Sequence, residues 1–188
     1  MDMLLTLPAG SASRDADPHV VLIGLPGVGK SSAARRVARK IRRPCLDFDT
    51  EIEAREQMPV ERIFAERGEA AFRACELALT RDLAARGGMV LSPGGGWVTS
   101  PEAMALLRPR AMMIYLRMRP EIALARLRRA HRRRPLLQTP DPLTTMRRLL
   151  AEREPAYLSA DHVLDVTSFT PTALVAEIVR LAEAGTPR

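Results

Sequence analysis

The chain has 188 residues, enough for one domain with a real hydrophobic core. Its apolar share of 46% and charged share of 27% are ordinary for a globular protein, and no apolar run is long enough to cross a bilayer. The formal net charge of +7 is carried almost wholly by arginine, since only Lys30 and Lys40 are lysines; this favours anionic ligands without choosing among them. Aromatic residues are only 4% of the chain and do not alternate with the arginines, which argues against a base-stacking nucleic-acid surface. Cys45 and Cys75 lack disulfide-framework or metal-ligand spacing and read as small buried residues in a reducing compartment. No basic-then-apolar leader opens the chain, so the expected location is the cytoplasm.

Residues 1–18 are rich in Ala, Ser, Asp and Pro without periodicity, and read as a tail ahead of a single domain over 19–188. Val20 to Ile23 is a short apolar run ending at Gly24, as in a buried parallel strand. From Ser31 to Arg42, Ala34, Val37, Ala38 and Ile41 recur at a helical period. Pro44 to Phe48 is a second strand, and Asp49 is placed to cap a helix beginning at Thr50. Pro59 opens a helix that Gly68 breaks, and a longer helix runs on to about Arg86. Met89 to Leu91 is a third strand before Pro93 and three glycines, and Ser100-Pro101 opens another helix with a cap and an N1 proline. Ala111 to Leu116 is a strand, Pro120 to Ala130 a helix, 131–141 a basic loop, Leu143 to Leu158 a helix and His162 to Val166 a fifth strand. Thr170-Pro171 opens the closing helix. Strands alternating with helices predict an α/β domain of three layers, a five-stranded parallel sheet covered on both faces.

Gly24-Leu25-Pro26-Gly27-Val28-Gly29-Lys30-Ser31 has the G-x-x-x-x-G-K-S spacing of a phosphate-binding loop, with a strand before it and a helix after. Glycines let backbone N–H groups converge on phosphate oxygens, and the helix start adds its dipole. Lys30 can reach the β- and γ-phosphates, and the Ser31 hydroxyl can ligate Mg²⁺. Gly27, Val28, Gly29, Lys30, Ser31 and Ser32 are therefore the candidate nucleotide contacts. No strand ends in the Asp-Glu pair of a motor ATPase, and no Asn-Lys-x-Asp guanine-reading sequence occurs. Instead Asp47-Phe48-Asp49 ends the second strand. Residues two apart on a strand point the same way, and ligands collect at the carboxyl ends of parallel strands. Two carboxylates facing the γ-phosphate suit transfer to a hydroxyl: one holds Mg²⁺ through water, the other takes the acceptor proton. The alternative is that Asp49 is only a helix cap and Asp47 only a strand end.

The chain then resembles the shikimate kinase family over about residues 19 to 185. After the phosphate loop and Asp47-Phe48-Asp49 come Ile63-Phe64, the run Gly68-Glu69-Ala70-Ala71-Phe72-Arg73-Ala74-Cys75-Glu76, then Gly94-Gly95-Gly96, Arg134-Pro135-Leu136-Leu137, and Arg153 with Tyr157. The resemblance implies a P-loop, NMP-kinase-like fold with a mobile lid at about 128–141. It implies transfer of the γ-phosphoryl of ATP to the 3-hydroxyl of shikimate, on the route to chorismate and the aromatic amino acids. By position, Asp49 would hold the substrate hydroxyls and act as base, and Asp47 with Ser31 would support Mg²⁺. Arg73 and Arg153 would clamp the carboxylate, with Glu76 orienting Arg73. Gly94, Gly95 and Gly96 would offer backbone N–H groups, Phe64 and Phe72 would wall the pocket, and Arg134 would neutralise the transferring phosphoryl. The expected partners are ATP and shikimate alone, with no nucleic acid and no membrane, and the expected state is a monomer.

Taken without the family pattern, Arg73 and Glu76 could form a plain helix-surface ion pair, three residues apart. Two residues depart from the family: Phe48 between the acids, and Trp97 after the third glycine. Trp97, the single tryptophan, is expected beside the substrate pocket, walling or narrowing it. Six arginines crowd 126–134, where Arg128 or a neighbour would meet adenine; His131 and His162 carry no assigned chemistry. Three other readings remain at this stage: a related kinase acting on another small hydroxy acid, a catalytically silent ligand-sensing domain of the same fold, and nucleic-acid binding through the arginines.

Overall fold

The computed structural model describes residues 17–129 and 135–185. Five strands, β1 His19–Ile23, β2 Cys45–Asp47, β3 Val90–Ser92, β4 Ala111–Arg117 and β5 His162–Asp165, form one sheet in the order β2-β3-β1-β4-β5. Every pairing is parallel. All of β1 is buried, as its apolar run requires of a central strand covered on both faces. The helices α1 Lys30–Ile41, α2 Phe48–Glu56, α3 Val60–Ala84, α4 Pro101–Leu107, α5 Pro120–Arg129, α6 Pro142–Leu158 and α7 Pro171–Ala184 supply those covers. β1 lies between β3 and β4, so the chain's first crossovers and its later ones run to opposite sides of it. That is the switch point at which parallel sheets open a crevice, and the phosphate loop leaves β1 there.

The local signals explain most boundaries. Ser100 and Thr170 cap α4 and α7 through their side chains, each followed by proline at the first helical position. Asp141 caps α6 by accepting from the N–H groups of Leu143 and Thr144. Gly68 leaves the helical region inside α3, with φ 80° and ψ 172°, so the two expected helices run on through a kink.

Four readings need correction. Asp49 does not cap α2; Asp47 does, its Oδ1 accepting from Thr50 N–H at 3.4 Å, and Asp49 sits in the first turn of the helix. The strand stops one residue earlier than its apolar pattern implied, because Phe48 already has a helical backbone and uses its ring to fill the core. Trp97 is not beside a pocket either. It is fully buried in a short 3₁₀ turn, donates from Nε1 to Thr80 Oγ1 at 2.9 Å, and meets Phe48 edge-on at 6.3 Å. The two departures from the family pattern are thus one packed pair in the core. Finally, Asp17 and Pro18 are not part of a loose tail. Arg43 bonds the Asp17 carboxylate at 2.8 Å and the Pro18 carbonyl at 2.9 Å, and Gly88 N–H donates to the Asp17 carbonyl. Residues 1–16 lie outside the described residues.

Candidate active site

The phosphate loop turns from β1 into α1 with Gly29 as the helix cap. Its φ of 100° belongs to the left-handed region, which a side chain at this position would resist. Lys30 folds over the loop, donating from Nζ to the carbonyls of Gly24 at 2.8 Å and Leu25 at 3.1 Å. The Ser31 hydroxyl lies 3.4 Å from that of Ser92, the buried last residue of β3. Gly27, Gly29, Lys30, Ser31, Ser32, Asp49, Ser92, Gly94 and Gly95 border a cleft of about 240 Å³, and Arg35 and Arg126 add positive charge to its rim. The Val28 side chain is buried, so only its backbone remains for a ligand. Asp47 stands beside Ser92 in the sheet register rather than on the cleft wall, which Asp49 supplies.

A second, smaller cleft of about 60 Å³ adjoins the first. Arg73, Arg153, Phe64, Phe72, Leu137 and Gly96 line it, and Pro26, Asp49, Gly94 and Gly95 are common to both clefts. Arg73 bonds Glu76 at 2.5 Å and Glu69 at 2.7 Å, with its guanidinium 5.6 Å from the centre of the Phe72 ring. The ring of Phe72 rests in turn on Phe64 at 4.9 Å. The Arg73–Glu76 pair is therefore more than a surface contact: Glu76 is 2% exposed. Arg153 is equally withdrawn, at 4%, and its Nε has no hydrogen-bond partner among the described residues. Burial pushes the Glu76 carboxyl up to about 7; Asp49 pushes it the same way, while Arg73 and Arg153 oppose. Its Oε1 also has no hydrogen-bond partner among the described residues.

The three glycines are close approaches, not a slack turn. A Cβ on Gly94 would lie 2.6 Å from Glu76 Oε1 and 3.5 Å from Asp49 Oδ1. One on Gly95 would meet Pro26 Cδ at 2.9 Å, and one on Gly96 would collide with the Arg73 guanidinium. Tyr157 holds this loop by donating to the Gly95 carbonyl at 2.5 Å, and it stacks on Tyr115 at 4.9 Å.

The geometry brings together Lys30, Ser31, Ser32, Asp49, Arg73, Arg153 and Gly94 to Gly96. It places Arg126 at the phosphate cleft and leaves Arg128 exposed on α5. Arg134 and His131 lie outside the described residues. Ser92 was missed, although a serine ending a strand just before Pro93 and the glycine run could have marked it. Thr80 and the buried His19 were missed too. His19 donates from Nε2 to the Leu83 carbonyl and accepts from Met89 N–H at Nδ1, and burial lowers its pKa, so it is a neutral structural residue.

The family model for shikimate kinase matches residues 26–183. The chain belongs to the shikimate kinase family. It is 44% identical to a shikimate kinase of Nitrobacter winogradskyi over 146 residues, covering 78% of this chain and 68% of that one. A Burkholderia pseudomallei shikimate kinase is 40% identical over 150 residues, 80% of this chain and 81% of the relative. Among solved structures, shikimate kinase from Acinetobacter baumannii in complex with shikimate superimposes with a TM-score of 0.84 at 32% identity, covering 90% of this chain and 95% of that one. Family membership makes the chain a P-loop phosphotransferase with a five-stranded parallel sheet, and the reading as a silent sensor loses its ground.

Proposed function

We propose that this chain transfers the γ-phosphoryl group of ATP to the 3-hydroxyl of shikimate. The observation that carries the reading is the junction of the two clefts at Asp49: phosphate-binding groups lie on one side and a paired-arginine pocket on the other. A carboxylate-bearing polyol needs forked cations, which Arg73 and Arg153 supply. Backbone N–H groups of Gly94 to Gly96 meet its hydroxyls. With the acceptor seated, Asp49 takes the proton from the attacking hydroxyl. The freed oxygen forms its bond to the γ-phosphorus, the bond to the β–γ bridging oxygen breaks, and ADP leaves with that electron pair. Lys30 neutralises charge on the β- and γ-phosphates as it builds, and Arg134 does so from the lid at about 128–141.

Mg²⁺ fits this donor set. Among the described residues no cluster of three His, Cys, Asp or Glu side chains could hold a metal, and Mg²⁺ typically takes only one or two protein oxygens beside water and phosphate. Ser31 would ligate it, with Asp47 acting through water, and the ion would supply charge stabilisation at the phosphates. The second cleft, at about 60 Å³, is small and open to solvent, and Leu136 and Leu137 stand on its wall. The remaining parts of the reading are a monomer with one domain from Asp17 onward and a reducing, cytoplasmic setting, supported by the free thiols of Cys45 and Cys75. No helix among the described residues is long and apolar enough to cross a membrane.

The test is a coupled assay for ADP release with ATP, Mg²⁺ and shikimate, run beside a panel of other hydroxy acids. Turnover well above the ATP-only background with shikimate, and less with the panel, is expected; turnover at background would overturn the reading.

A further inference from the structure

No Asp or Glu occurs between Asp17 and Asp47, a stretch that includes all of α1 and both of its flanks. Four other helices pair arginines within their own length. Arg55 pairs with Glu51, Arg62 with Glu66, Arg148 with Glu152 and Arg180 with Glu177. On α1 the pattern stops. Arg35, Arg36 and Arg39 meet no carboxylate among the described residues, and all three are exposed. Arg36 and Arg39, Arg35 and Arg39, and Arg36 and Lys40 stand three or four residues apart, where like charges repel. The fold therefore carries a self-repelling face that a bound anion would relieve.

This face is also concave. Arg35, Arg36, Arg39, Arg42, Arg43 and Ser32 line a groove of about 590 Å³, with Cys45 at its edge. Arg43 is fixed there by its bonds to Asp17 and Pro18. The groove shares Ser32 and Arg35 with the phosphate cleft, so one positive surface runs from the phosphate loop along α1. The Cys45 thiol is pushed up to about 11, first by burial and then by Asp47, so it is protonated at neutral pH and brings no nucleophile. Among the described residues no aromatic side chain lines the groove, so it offers no stacking platform of the kind a single-stranded nucleic acid uses.

We propose that the outer face of α1 is a second anion site, which takes the phosphate group of a small phosphorylated molecule or free inorganic phosphate. Arginine forks match the oxygens of a tetrahedral oxyanion in pairs, and several of them converge on one concavity here. The site stands apart from phosphoryl transfer, because Arg36 and Arg39 border only the groove.

The experiment holds the phosphate loop with a saturating non-hydrolysable ATP analogue and Mg²⁺, then titrates inorganic phosphate by calorimetry into wild type and Arg36→Gln/Arg39→Gln. Wild type is expected to bind one further equivalent, at least tenfold more tightly than the double variant. The variant should keep wild-type turnover and unfold at the same or a higher temperature in the absence of anion, since a repulsion has been removed. A parallel titration with a phosphorylated hydroxy acid separates the two sources: tighter binding than inorganic phosphate names the metabolite, and equal or weaker binding names free phosphate. The proposal is overturned by no binding beyond the loop, by equal binding in the variant, by equal stabilisation from chloride at matched ionic strength, or by a response to a single-stranded oligonucleotide alone. Failure of the ATP analogue to bind would count against the kinase reading, and the difference between wild type and variant would still report on the groove.

Discussion

The two clefts that meet at Asp49 are built in different ways. The phosphate cleft is mostly backbone: one continuous turn from Gly24 to Ser31 closes it, and Lys30 is fastened to carbonyls of that same turn. The acceptor cleft is mostly side chain, drawn from α2, α3, the glycine loop after β3 and α6, with each member held by another. A backbone site tolerates change nearby because its donors are fixed by the fold. A side-chain site transmits any change in one member to the next. The variants below should therefore separate the clefts, acting on acceptor kinetics while leaving the nucleotide untouched.

The largest effect belongs to the junction itself. Asp49→Asn keeps the shape but cannot take a proton, so kcat should fall by roughly 10²–10⁴ with nucleotide affinity little changed. Equal losses in both would mean that Asp49 only supports the loop. Next comes Arg73→Ala, which removes one fork and strands the buried Glu76 carboxyl beside it. Acceptor KM should rise roughly a hundredfold while the KM for ATP stays put, and an unchanged acceptor KM would contradict the clamp. Gly96→Ala leaves every charged group in place but drives a methyl into the Arg73 guanidinium. Because the end of a long side chain can swivel aside, a smaller rise of roughly tenfold in acceptor KM is expected, read from the same pair of Michaelis curves.

Glu76 gives a subtler contrast. Its carboxyl, raised to about 7 from the ordinary 4.5, stands between Arg73 and Asp49. A carboxylate acceptor arriving on Arg73 and Arg153 adds negative charge nearby and raises Glu76 further, so acceptor binding takes up a proton. Acceptor KM should therefore fall a few-fold as pH drops through about 7, whereas nucleotide KM should not follow. Glu76→Gln should flatten the acceptor profile, and a profile that persists in that variant would assign the proton elsewhere. The same sign holds for stability. A raised carboxyl favours the folded state fully below 4.5, and that contribution is lost as pH rises through about 7.

How much of this could be read in the sequence follows from the same division. A backbone site is written contiguously, so Gly24 to Ser31 announced both its place after a strand and its chemistry. The layer order followed from the alternation of strands and helices, and the caps at Ser100 and Thr170 from their residue types. The acceptor cleft has no contiguous signature. The residue pattern placed Arg73, Glu76, Arg153 and the glycines in one site only through resemblance to a family. It did not reveal that Gly96 is small because a guanidinium lies against it. The strand-period argument also gave the wrong cap, since one buried aromatic, Phe48, was enough to start the helix early and pass the capping role to Asp47. Ser92 stayed hidden because its partner is Ser31, which is 61 residues away in the chain.

Trp97 completes the comparison by lying outside both clefts. It follows Gly96 directly, so proximity in sequence put it in the acceptor pocket. The backbone turn after the glycines instead swings the ring inward, onto Phe48 and the Thr80 hydroxyl, which itself donates to the Glu76 carbonyl at 2.7 Å. A pocket wall and a core plug respond differently to the same substitution. Trp97→Phe deletes the indole N–H and part of the ring, leaving Thr80 with its bond to the helix. As a core plug it should cost about 1–3 kcal/mol in chemical denaturation, with the KM of both substrates and kcat within about twofold of wild type. A selective change in acceptor KM at preserved stability would return Trp97 to the pocket. Because Trp97 sits one residue from the glycine that the Arg73 guanidinium covers, the absence of any such change would also set the boundary of the acceptor site at Gly96.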